Sequence, residues 1–177
     1  MSKLNVNVHN VGGDAVGQSV AGGNVVDITT MQDTNVTNEQ YDASPYIGSQ
    51  LNANVNDVSG SVGYTSQALC NGASVSTDPT TTQVYSNQEC RASDPSSTLN
   101  ANISNVGGDV ALAGSSVGNT FEEDTNAANA PLETNQINSS AVLSTVNANV
   151  SNVGGSVGVT SAAIGNSAQI VHYSTGN

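Results

Sequence analysis

Four stretches decide the reading of this chain: LNVNVHNVGGDAVG (residues 4–17), LNANVNDVSGSVG (51–63), LNANISNVGGDVA (99–111) and VNANVSNVGGSVG (146–158). They start at Leu4, Leu51, Leu99 and Val146, which are 47, 48 and 47 residues apart. Near-identity at a fixed period is the mark of a stacked repeat array.

Each copy alternates aliphatic and polar residues. Leu51, Ala53 and Val55 alternate with Asn52 and Asn54, and period two means a strand with one buried face. A small pair follows, Gly12-Gly13, Ser59-Gly60, Gly107-Gly108 or Gly154-Gly155, where glycine lets the backbone turn through positive φ. A second alternating segment begins after the bend. It closes at Gly165-Asn166, Gly118-Asn119 and Asn71-Gly72, which read as turn dipeptides.

The rest of each unit is looser. Glu39-Gln40, Asn87-Gln88 and Asn135-Gln136 keep the spacing, but DPTTTQVYSN and EEDTNAANAPLE between them read as lateral loops projecting from the stack. The pattern predicts an all-β fold, a parallel β-solenoid of four ~47-residue repeats with lateral loops. One domain spans 1–177, with repeats at 4–50, 51–98, 99–145 and 146–177, the last incomplete. At roughly 3.3 Å per residue a 47-residue rung has a perimeter of about 155 Å. Val and Ala alone do not fill that, so two rungs of about 23 residues per repeat, or one rung with long excursions, are expected.

Composition narrows the function classes. The chain has 2 Lys+Arg against 14 Asp+Glu, a net charge of −12. Lys3 and Arg91 are too few to neutralise phosphates, which excludes a nucleic-acid surface, and they give no purchase on an anionic membrane. No apolar run approaches the ~20 residues of a membrane-spanning helix. The start, MSKLNVNV, does not read as a signal peptide. With no Trp and 1 Phe, the core must pack small aliphatic side chains in place of large aromatic anchors.

Stacked repeats place equivalent residues over one another about 4.8 Å apart. Asn5, Asn7, Asn52, Asn54, Asn100, Asn102, Asn147 and Asn149 are thereby expected to form amide ladders of the kind found in cross-β assemblies. The same spacing puts Leu4, Val8, Leu51, Val55, Leu99, Ile103, Val146 and Val150 in the core. Cys70 and Cys90 are 20 residues apart, close to one short rung, and are expected to bridge and tie a lateral excursion to the body.

No catalytic, cofactor or metal site is expected. His9 and His172 occupy non-equivalent repeat positions and read as surface or edge residues. VGGDAVG and VGGDVAL resemble calcium-binding nonapeptides, but the Asp falls too early and Ser61 and Ser156 replace it in two copies. Glu122-Glu123-Asp124 reads as a solvated loop, with weak calcium binding the lesser alternative.

The stretches NVGGDVALAGSSVGNT and NVGGSVGVTSAAIGNSAQI resemble bacterial holdfast-anchoring surface proteins. They resemble less closely the repeats of secreted functional-amyloid subunits of the Fap and curlin type, whose ~20-residue spacing of Gln and Asn this chain lacks. The resemblance implies a structural or adhesive role outside the cell, at the bacterial surface, with no catalytic residues to carry over. The expected function is self-assembly into fibres or a surface matrix by head-to-tail β-stacking, the partner being the protein itself, with surface polysaccharide or another matrix protein as further partners. The alternative is a monomeric solenoid binding carbohydrate or ice on a flat polar face. An enzyme is not expected, because the acids do not stack into carboxylate pairs.

Overall fold

The computed structural model describes residues 1–78, 82–91, 94–126 and 130–173. Among these the chain forms eleven strands and no helix. Each of the first three repeats supplies three strands. They are β1 (Ser2–Val11), β2 (Ala15–Thr30) and β3 (Thr34–Asp42); β4 (Gly48–Val58), β5 (Val62–Thr77) and β6 (Thr82–Cys90); and β7 (Ser96–Val106), β8 (Val110–Thr125) and β9 (Leu132–Asn138). The last repeat adds β10 (Leu143–Val153) and β11 (Val157–His172).

Like strands pair with like. The three sheets run β1-β4-β7-β10, β2-β5-β8-β11 and β3-β6-β9, every pairing parallel. Parallel neighbours need a crossover of a dozen or more residues. Here the crossover from one strand to its partner is the remainder of the repeat, itself made of strands. The register is residue on equivalent residue: Leu4, Leu51, Leu99 and Val146 form one column.

Of the two layouts expected, two short rungs per repeat or one rung with long excursions, the first is corrected: each of the first three repeats supplies one strand to each sheet. The lateral-loop reading is corrected too. Much of DPTTTQVYSN lies in β6, and EEDTNAANAPLE begins in β8 and ends in β9; its Ala127 to Asn129, like Pro79 to Thr81, lie outside the described residues.

The interior is filled by a succession of apolar and polar layers. Between the first and second sheets lies an aliphatic cluster around Leu51, Val55, Leu99 and Ile103, with Tyr64 and Leu112. Leu4, Val8, Val146 and Val150 pack against it, partly buried at the two ends of the stack. A row of buried serines comes next. Ser49 Oγ lies 2.9 Å from Ser66 Oγ, and Ser97 Oγ donates to the Ser66 carbonyl at 2.7 Å. A second apolar cluster then holds Ala21, Ile47 and Ala68 with the two cysteines. A third, around Val36, Val75, Val84 and Phe121, joins the second and third sheets.

The bend after the first strand works differently from the sequence reading. Among the described residues no glycine has positive φ. At this bend the left-handed residues are Asn10, Asp57, Asn105 and Asn152, at φ of 55°, 59°, 55° and 53°, and Asn and Asp tolerate that region best after glycine. The glycines serve close approach. A Cβ on Gly108 would lie 2.9 Å from the Gly60 carbonyl carbon, and one on Gly155 2.8 Å from that of Gly108.

Candidate functional site: amide ladders and stack edges

The outer face of the first sheet carries two asparagine rows. In the first, Asn52 Nδ2 donates to Asn5 Oδ1 at 2.8 Å, Asn100 to Asn52 at 2.9 Å and Asn147 to Asn100 at 2.9 Å. In the second, Asn54 donates to Asn7 at 3.3 Å, Asn102 to Asn54 at 3.3 Å and Asn149 to Asn102 at 3.1 Å. Within each row an inner amide donates one N–H to the preceding asparagine and accepts one from the next, and Asn52 Oδ1 also accepts from Gln50 Nε2 at 3.5 Å. A shallow groove of about 760 Å³ runs between the rows over Val6, Ala53, Ala101 and Ala148.

Two further ladders run inside, and sequence reasoning missed both. Asn24, Asn71, Asn119 and Asn166 form one column, linked at 2.9, 2.8 and 2.8 Å. These asparagines lie within strands, and Asn71 and Asn119 are fully buried, so they are not turn residues. Gln40, Gln88 and Gln136 form the other, at 2.7 and 2.9 Å. Gln88 also donates to the Thr120 carbonyl at 2.9 Å, and Gln136 to that of Ser167 at 2.9 Å. The 48-residue spacing of the glutamines was the available signal; the irregular residues around them hid a third strand.

Cys70 and Cys90 are joined in a disulfide with a Cα–Cα distance of 6.0 Å, both fully buried. The bridge links β5 directly to β6, so it ties two sheets of the body together, not a loop to the body. The other repeats build this corner without sulfur. Cys70 stands in a column with Gly23, Gly118 and Gly165, and Cys90 with Asp42 and Asn138. There the polar side chain fills the space a glycine leaves. A Cβ on Gly118 would lie 2.8 Å from Asn138 Nδ2, and a Cβ on Gly23 would collide with Asp42 Oδ2.

Glu122-Glu123-Asp124 is not a loop. It lies in β8, where Glu122 and Asp124 are exposed and Glu123 is 1% exposed. Glu123 occupies the column Ile28, Val75, Glu123, Ile170, and its Oε1 has no hydrogen-bonding partner among the described residues. Burial raises its pKa above the usual carboxylate value, partly offset by the charge of His172 on the neighbouring strand.

The ends of the stack differ from its middle. Val157, Val159 and Ile170 on β11 are 50%, 46% and 52% exposed. The residues that share their columns, Val110, Leu112 and Val75, are buried. Both terminal strands of the first sheet, β1 and β10, present an unpaired edge, and an open edge is a template for another strand.

Residues 47–176 match the family model described as HfaD, holdfast attachment protein D. No curated protein and no solved structure matches the chain.

Proposed function

This chain belongs to the holdfast attachment protein D family, and from that premise we propose that it is a non-enzymatic, cell-surface adhesion protein: a parallel β-solenoid, one repeat per rung, whose copies add head to tail. The family's description, holdfast attachment, supports a role in adhesion at the bacterial surface. One observation carries the assembly reading. The edge at β10 presents Val146, Asn147, Asn149 and Val150, and the edge at β1 presents Leu4, Asn5, Asn7 and Val8, residues that already share columns through β4 and β7. A next copy would extend both outer asparagine ladders and cover the exposed aliphatic residues of β11. A contact that joins unlike edges without closing makes a filament.

Sedimentation velocity and negative-stain imaging of purified protein test this. Filaments that lengthen with concentration and survive added salt are expected, because the contact uses backbone and amide groups and salt screens the acidic repulsion between copies. A protein that stays monomeric at high concentration in moderate salt overturns the reading.

The groove between the asparagine rows supports a second reading, a neutral polyhydroxylated chain such as a surface polysaccharide lying along the outward amides. Retention of the protein on an insoluble polysaccharide, lost on replacing Asn54 and Asn102 by Ala, is its test.

A further inference from the structure

The column Gly13, Gly60, Gly108, Gly155 holds glycine in every repeat, and in three of them the reason is visible. A Cβ on Gly60 would lie 2.6 Å from the Gly13 carbonyl carbon, one on Gly108 2.9 Å from that of Gly60, and one on Gly155 2.8 Å from that of Gly108. Each glycine lets its turn settle onto the turn of the preceding repeat. Around Gly13 the described residues show no such neighbour. A Cβ there meets nothing within 4 Å, and its backbone is not in the left-handed region.

The next position tells a matching story. Asp14, Ser61, Asp109 and Ser156 alternate acid and hydroxyl. Ser61 N donates to Asp14 Oδ1 at 2.7 Å, Asp109 N donates to Ser61 Oγ at 3.2 Å, and Ser156 N donates to Asp109 Oδ1 at 2.8 Å. The alternation keeps carboxylates two strand spacings apart, about 9.6 Å instead of ~4.8 Å, and gives each acid a backbone donor. By the same alternation an Asp fits next to Ser156, and Asp14 is an Asp.

We propose that Gly13 and Asp14 are a prebuilt socket for the Gly154-Gly155-Ser156 turn of a second copy, a junction that rests on the head-to-tail reading above and fixes its geometry. In the junction Gly13 lies over the Gly155 backbone. Its N–H donates to the Gly155 carbonyl, as Gly60 N–H does to Gly13 and Gly108 N–H does to Gly60. Asp14 N–H donates to Ser156 Oγ, repeating the Asp109–Ser61 contact. The alternation then runs unbroken from copy to copy. Pairing of two like edges at β1 would instead bring Asp14 toward Asp14 without a serine between them.

The decisive variant is Gly13→Val in the full chain, with wild type and Gly108→Val beside it. Gly13→Val is expected to keep the wild-type circular dichroism and melting temperature and to lose the filaments in sedimentation and negative stain. Gly108→Val is expected to melt lower even as a monomer. Assembly by Gly13→Val at the wild-type rate and extent overturns the junction while leaving head-to-tail assembly standing, whereas a wild type that does not assemble overturns both. A Gly13→Val chain that fails to fold shows that Gly13 serves the single chain, and also overturns the proposal.

Register is read by oxidative crosslinking. Asp14→Cys/Ser156→Cys is expected to give a ladder of covalent multimers, since the Cα separation across one strand spacing falls in the bridging range of roughly 4.4–6.8 Å. Each single-cysteine variant is expected to give none. Crosslinked dimers from Asp14→Cys alone would mean like edges pair, against the junction.

Discussion

Asn71 Nδ2 donates to Asn119 Oδ1 at 2.8 Å, and both side chains are fully closed off from solvent. The link is the middle step of a ladder from Asn24 to Asn166. Asn119 also donates to the Ile137 carbonyl at 2.9 Å, so it ties the second sheet to the third. Replacing Asn119 by Ala orphans the Asn71 donor and that carbonyl together. Each buried group left without a partner costs about 1–3 kcal/mol. Chemical denaturation of Asn119→Ala is therefore expected to show a loss of about 2–4 kcal/mol, and a loss below ~0.5 kcal/mol would mean that the ladder is not a structural tie.

The disulfide gives a second prediction. Intact mass is expected to rise by two protons on reduction of the denatured protein, and the folded protein is expected to resist reduction because both sulfurs are buried. Closing a loop of this length stabilises by about 3 kcal/mol in the chain-entropy treatment. The other repeats suggest the better replacement. Cys70→Gly/Cys90→Asn installs the Gly118–Asn138 corner of the following repeat and is expected to melt above Cys70→Ala/Cys90→Ala.

Glu123 sets a pH dependence. Burial raises its folded pKa above the ordinary 4.5, so the folded state holds a proton that the unfolded state has released. Stability is then highest below the unfolded value and falls as pH rises from about 4.5 through the folded pKa. His172, on the neighbouring strand, opposes the effect when charged. Glu123→Gln is expected to flatten this part of the stability–pH curve. Glu123→Val, the residue of the preceding repeat in the same column, is expected to raise stability at neutral pH by about 1–3 kcal/mol. A Glu123→Val protein less stable than wild type at pH 7 would show that the carboxylate has a partner worth more than its burial costs.

The outer ladders tolerate amides where they would not tolerate charge. Asn54 and Asn102 are hydrogen-bonded neighbours on an exposed face. Asn54→Asp/Asn102→Asp puts two carboxylates one strand spacing apart, which destabilises by roughly 0.2–1 kcal/mol. The deficit is expected to shrink at high salt, since exposed charges are screened. A melting temperature equal to wild type at low salt would show that the rows do not hold the register they display.

The repeat and its strand character are written in the residues. Leu51-Asn-Ala-Asn-Val55 reads as a strand with an aliphatic inner face, and its recurrence at 47–48 residues sets Asn52 against Asn100. Period and alternation are local properties of a chain, so the sequence carries them. What fills the inside is decided by which columns three sheets bring together. Gln88 looks like a loop residue until β6 sets it against the Thr120 carbonyl. Glu123 sits in a run of acids whose neighbours face water while it alone faces Val75 and Ile170. The glycines after each first strand announce a turn, but their use is against the neighbouring repeat, with Asn105 and its equivalents taking the left-handed conformation. Alternation in the sequence marks two faces of a strand. Which face meets an aliphatic cluster, an amide ladder or another repeat is set by contacts between residues tens of positions apart, and only the tertiary structure decides those.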